Sequence, residues 1–273
     1  MPASAFALAL AAAFLHAFWN LLLARSRDPE AATAVALVAA VGVFAPVAVV
    51  VWHAETAVWP YLVATATLHL AYFALLAGAY RRAELSLVYP LARGLAPVLV
   101  LVVGVAALGV GTSALQAAAV CLVGAGILLV RGLRGDADRT GVAFGLALAG
   151  CIAAYTLVDK EGIKHANPIT YLELATAFAA VPYVAAVCAV KRTEKVRREV
   201  GMPTLVAGLA MFGAYALVLA ALKLAPAAPV AAVRETSIVI ATAGAALVLK
   251  ERFGPARAVG ALLVVAGVVL LGV

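Results

Sequence analysis

The chain alternates long apolar stretches with short charged or Gly/Pro-containing breaks. Ten apolar runs are legible, at about 3–24, 31–52, 59–80, 86–108, 113–131, 141–159, 168–190, 203–224, 228–249 and 255–273. Runs of roughly 20 residues are the length that crosses ~30 Å of hydrocarbon as a helix. Lipid cannot satisfy an unpaired backbone group, so helix is the only sensible assignment. The two-residue alternation of a β-barrel is absent. The pattern predicts an all-α membrane protein with ten transmembrane helices.

The pattern also repeats. Shifting the numbering by 141 lays Arg82 on Lys223, Arg93 on Arg234, Gly126 on Gly267 and Val130 on Leu271 without a gap. Internal similarity at half the chain length marks a transporter built from two structural repeats. The division predicted is a first five-helix repeat over 1–131, a basic linker over 132–140 and a second five-helix repeat over 141–273. Five runs per half is an odd number, so the second half must enter the membrane in the opposite sense. The expectation is an inverted repeat.

Composition agrees with this reading. Hydrophobic residues make up 66% of the 273 positions and charged residues 12%, with mean hydropathy +1.11. A soluble domain carries about 45–50% apolar and about 25% charged residues. The net charge of +7 could suggest a nucleic-acid partner, but the basic residues sit in the short breaks. Fifteen Lys/Arg fall in the breaks after runs one, three, five, seven and nine, against Lys160, Lys164 and Lys223 on the other side. The positive-inside rule then puts the odd-numbered breaks in the cytoplasm and both termini outside. The first run has no basic segment before it and continues to Ala24, which favours an uncleaved first helix over a signal peptide.

Candidate chemistry centres on two charges inside apolar runs. Arg93 lies about two turns into its run, ~10 Å along a helix. Arg234 lies at a similar depth in the ninth run. A lipid-facing arginine there costs at least a few kcal/mol, so both should face a bundle interior or a wet cavity. Glu235 follows Arg234 and can reach across to Arg93 or act as a coupling carboxylate, whereas the first repeat has Gly94 at that position. His16, Trp19 and Asn20 share one helical face, as do His69, Tyr72 and Phe73. Tyr89, Tyr155, Asp159 and Tyr215 are further candidates for a cavity wall. Pro90 and Pro229 precede the two arginines and could loosen their helices.

Catalytic signals are absent from the sequence. There is no His-Glu-x-x-His zinc helix, no Gly-x-Ser-x-Gly elbow and no phosphate-binding loop. Cys121, Cys151 and Cys188 stand alone at no metal or redox spacing. No metal and no cofactor is expected.

On these residues the chain resembles the EamA-type transporters of the drug/metabolite transporter superfamily. The resemblance rests on His16-Ala17-Phe18-Trp19-Asn20, on Tyr89 through Pro97 and on Ala154 through Asp159. It rests also on Leu224-Ala225-Pro226 with Arg234-Glu235-Thr236-Ser237, and on Leu249-Lys250-Glu251-Arg252. It implies secondary transport of a small polar or charged metabolite by alternating access, with export the expected direction, in a bacterial inner membrane. Members are often described with cytoplasmic termini, which the loop charges here contradict. The competing reading is a membrane-embedded enzyme acting on a lipid or lipid-linked substrate. The partners expected are a small-molecule substrate and the lipid bilayer, with no nucleic acid and a homodimer as the one assembly left open.

Overall fold

In the computed structural model, residues 1–83, 85–131, 138–191, 193–241 and 255–272 are described. The helices are α1 (Ala3–Ala24), α2 (Pro29–Val50), α3 (Trp59–Arg82), α4 (Leu85–Ala106) and α5 (Ala114–Arg131). There follow α6 (Arg139–Gly162), α7 (Pro168–Lys191), the short α8 (Thr193–Arg198), α9 (Met202–Leu224), α10 (Ala227–Arg234) and α11 (Pro255–Gly272). Among the described residues there is no strand beyond one isolated bridge, so the protein is all-helical. Among the described residues, eight helices are long and apolar enough to cross a membrane.

Two of the ten expected runs fall outside that set. α5 is apolar but short. The ninth run, predicted as one helix over 228–249, is interrupted. α10 ends at Arg234, Glu235 forms a turn, and helix resumes over 236–241. The remainder of that run, the Leu249–Arg252 turn and most of the 132–140 linker lie outside the described residues. α6 begins at Arg139, because the Asp138 side chain accepts from the backbone N–H of Thr140 and Gly141 and caps the helix there. Asp28 does the same for α2, accepting from Ala31 N at 3.2 Å ahead of Pro29 at the first helical position.

Packing interleaves the two halves of the chain. α1 packs on α9 and α10, and α6 packs on α3 and α4. α2 packs on α7 and α9, and α3 on α7 as well. α4 meets α10, and α5 meets α11. The α5–α11 contact is very close. A Cβ on Gly126 would stand 2.7 Å from Gly260 O, and one on Gly267 would stand 2.8 Å from Ala119 O. Only glycine lets these two backbones meet. Their outer sides, such as Leu115, Leu262 and Val269, are exposed.

The two ends of the bundle are tied differently. At the end with the α1–α2 turn, Lys191 Nζ lies 2.6 Å from Asp28 Oδ1 and 2.7 Å from Glu30 Oε2. Partial burial alone would raise the Asp28 pKa, but hydrogen bonds from Lys191 and Ala31 N hold it below the usual carboxylate range. At the opposite end, the loop after α2 pairs with the loop after α6. Ala54 and Ala166 form the antiparallel bridge, with Glu55 N donating to His165 O and Asn167 N to His53 O, each at 2.9 Å.

Candidate functional site

Arg93 projects from the middle of α4 and Arg234 is the last residue of α10; both are buried. Between them lies Glu235, 0% exposed. Its Oε2 approaches Arg93 Nε at 2.8 Å and its Oε1 accepts from Arg234 Nη2 at 3.3 Å. The Arg93 contact is an ion pair rather than a hydrogen bond, since neither atom has an aligned hydrogen-bond partner. Residues i and i+1 on a regular helix diverge by about 100°, so an Arg234–Glu235 pair was not expected. The pair forms at the turn where α10 ends, with the Glu235 backbone still near helical at φ −70° and ψ −10°.

Arg93 has further neighbours. Its Nη2 donates to His16 Nε2 at 3.2 Å and to Ser237 Oγ at 3.5 Å, and its guanidinium lies 5.9 Å from the Tyr89 ring centre. A guanidinium only donates, so the imidazole of His16 is neutral at Nε2 in this arrangement. Arg93 therefore joins α1, α4 and the segment after α10.

Both arginines border a cavity of about 360 Å³. From α1 come His16, Trp19 and Asn20, and from α3 come Thr65, His69, Tyr72 and Phe73. Tyr89 joins from α4, Tyr155 and Asp159 from α6, and Tyr215 from α9. Every residue singled out in the sequence for this wall reaches it except Glu235, which lies behind the arginines. The aromatic side is a stack. His69 lies 4.5 Å from Tyr155, ring centre to ring centre, with Tyr215 edge-on to both at 6.1 and 6.3 Å. His69 Nδ1 donates to Thr65 O at 2.8 Å, which fixes the ring.

Asp159 is also 0% exposed. It accepts from Tyr171 Oη at 2.8 Å and from Tyr215 Oη. It does not pair with Lys160, which turns away to the carbonyl oxygens of Leu222 and Ala225 at the end of α9. Asn20 is partly spent on its own helix, donating to His16 O at 2.7 Å. Trp19 Nε1 is buried with no hydrogen-bond partner among the described residues.

Chemically, the cavity wall presents two guanidinium groups that share one close carboxylate, and Nε1 of Trp19, with no partner among the described residues, is a donor. Such a surface suits a ligand rich in acceptor atoms, an anion above all. Among the described residues, no group of three or more His, Cys, Asp and Glu stands where it could hold a metal ion.

Thr65, Tyr171 and Phe212 line the cavity without having been singled out in the sequence. Tyr171 lies in the first turn of α7 and carries no local signal; its hydroxyl reaches Asp159 across the short α6–α7 connection. Glu173 was missed as well. It is buried in α7 with Oε2 unpaired, although it does not border the cavity. A carboxylate within an apolar run was the available signal.

Comparison with known proteins supplies three findings. Residues 139–273 match the model of the EamA-like transporter family. No curated protein sequence matches the chain. A crystal structure described simply as that of a protein is similar over 98% of this chain and 97% of that one, with a TM-score of 0.77 at 17% sequence identity. At that identity the likeness shows a shared fold.

Proposed function

Because the chain belongs, through its second half, to the EamA-like transporter family, we propose that it is a secondary transporter that carries a small organic anion by alternating access. The membrane-transporter fold is the firm part of this reading. The observation that carries the rest is the pair Arg93 and Arg234, which share Glu235 and border one cavity. Buried charge is costly in a membrane protein and is retained where it meets a solute path. The arginines bind the carboxylate or phosphonate of the substrate, and the aromatic stack of His69, Tyr155 and Tyr215 holds its body.

The architecture proposed is ten helices in two inverted five-helix repeats. What supports it is the exchange of packing pairs under a shift of 141. The approach of Gly126 to Gly260 becomes that of Gly267 to Ala119, and both approaches occur. Likewise α1 on α9 becomes α6 on α3, and α1 on α10 becomes α6 on α4. Loop charge favours an inner-membrane orientation with the α1–α2 turn cytoplasmic and the termini outside. Export is the direction proposed, and membership of a transporter family favours transport over catalysis.

The test is transport in proteoliposomes. Arg93→Ala protein that is still made and folded is expected to lose at least nine-tenths of its uptake of an organic anion carried by the native protein. Unchanged uptake would remove Arg93 from the mechanism.

A further inference from the structure

The cavity is open at one end of the bundle and shut at the other. Its lining begins at Ala24 and Pro29, both exposed, at the α1–α2 turn. It stops at Thr65 and Asp159, both fully buried. Beyond that floor the bundle is closed in two layers. The inner layer is Asp159 with the hydroxyls of Tyr171 and Tyr215. The outer layer joins the two halves of the chain: the Ala54–Ala166 bridge, with Glu55 Oε2 2.9 Å from His165 Nδ1. Thr170 Oγ1 donates to Val51 O at 3.4 Å, and the Tyr61 ring stacks on His165.

We infer that the paired loops 53–55 and 165–167 form a clamp that closes the cavity on the face opposite the α1–α2 turn, and that the transport cycle must part them. The inference rests on the alternating-access reading above. A solute entering past Ala24 and Pro29 meets Asp159 and the two tyrosines, and beyond them the clamp. The clamp is built to open. Its side chains His53 and Glu55 are exposed, so water can replace what the loops lose on parting. It spans the boundary between the halves, whereas the Asp159 layer lies wholly in the second.

The bridge supplies its own test. Hydrogen bonds flank Ala54 and Ala166 on both sides, so they form the non-hydrogen-bonded type of pair, whose Cα atoms stand ~4.5 Å apart. That falls within the ~4.4–6.8 Å range a disulfide accepts. The experiment combines Ala54→Cys and Ala166→Cys in a protein whose Cys121, Cys151 and Cys188 are replaced by alanine. A reporter, Thr176→Cys, is added in the cavity wall. Cells and inverted vesicles present the two faces to a membrane-impermeant maleimide, and a separate Thr56→Cys protein identifies the preparation that exposes the clamp face.

The reduced protein is expected to label at the reporter from both faces. Oxidation should cut labelling of the peptide that carries position 176 from the clamp face at least tenfold and leave its labelling from the other face unchanged. Two results would overturn the inference: clamp-face labelling that oxidation does not alter, or none in the reduced protein. The readout needs no substrate. The expected labelling together with unimpaired transport by Arg93→Ala protein would sink the arginine site and leave the clamp standing.

Discussion

The two helices that carry the buried arginines are built differently. α4 runs unbroken from Leu85 to Ala106 although Pro90 and Pro97 lie inside it. α10 stops at Arg234 after eight residues. Proline does not explain the break, since Pro229 sits in the first turn of α10, where a missing N–H costs nothing. The local cause is at Glu235. Its N–H donates to Ala232 O, Ile238 N donates to Glu235 O, and the Thr236 hydroxyl takes Val233 O. Three-residue bonds and a hydroxyl bound back to the backbone tighten and interrupt the helix. At the matching place in the first half, Gly94 does something else. A Cβ there would stand 3.0 Å from Gly124 O, so its smallness lets α4 lie against α5. One half gives the site a guanidinium on a rigid helix, and the other gives a guanidinium with the counter-ion for both.

The largest expected effect comes from removing that counter-ion. Glu235→Gln keeps the shape and leaves two buried arginines without their shared charge. Breaking a buried ion pair from one side costs about 3–5 kcal/mol. Cavity water will soften this, so a loss of about 3 kcal/mol is expected, read as a fall in the melting temperature of the purified protein. An unchanged melting point would mean that the arginines are neutralised elsewhere, and the asymmetry between the halves would lose its meaning.

Next in size is the difference between the arginines themselves. Arg93 uses its fork on Glu235, His16 and Ser237, while Arg234 has one close polar partner among the described residues, Glu235. Lysine keeps the charge and loses the fork. Arg93→Lys is therefore expected to lower transport about tenfold more than Arg234→Lys, or about 1.4 kcal/mol. Equal losses would show that only the charge counts, and the two helices would then contribute alike.

Much of this was legible in the sequence, for physical reasons. Lipid demands long apolar helices, so apart from the ninth run the boundaries fell within a few residues of the observed ends. A charge inside such a run is conspicuous, and His16, Trp19, Asn20, His69 and Tyr72 follow from helical spacing alone. The turn at Glu235 was not legible, because a run of Ala, Val and Ile looks continuous whether or not one carbonyl is taken by a hydroxyl. Tyr171 escaped because its partner Asp159 is on another helix. The partly small four-residue spacing around Gly126 and Gly260 pointed to close helix packing but not to which helices meet there.

The smallest expected effect probes whether α4 stays whole. Pro90 costs α4 one backbone hydrogen bond, yet neighbours accommodate it and the helix does not break. Pro90→Ala would restore the missing N–H and is expected to shift stability by less than about 1 kcal/mol. Transport should remain above half of the native rate, because Arg93 stays on the same face of the same helix. Both can be measured on one preparation, by melting and by uptake. A folded Pro90→Ala protein that no longer transports would point elsewhere. It would mean that α4 bends at Pro90 at another stage of the cycle, and that the two halves take turns in carrying the break. The difference between α4 and α10 would then belong to one conformation, and the site would be symmetric over the full cycle.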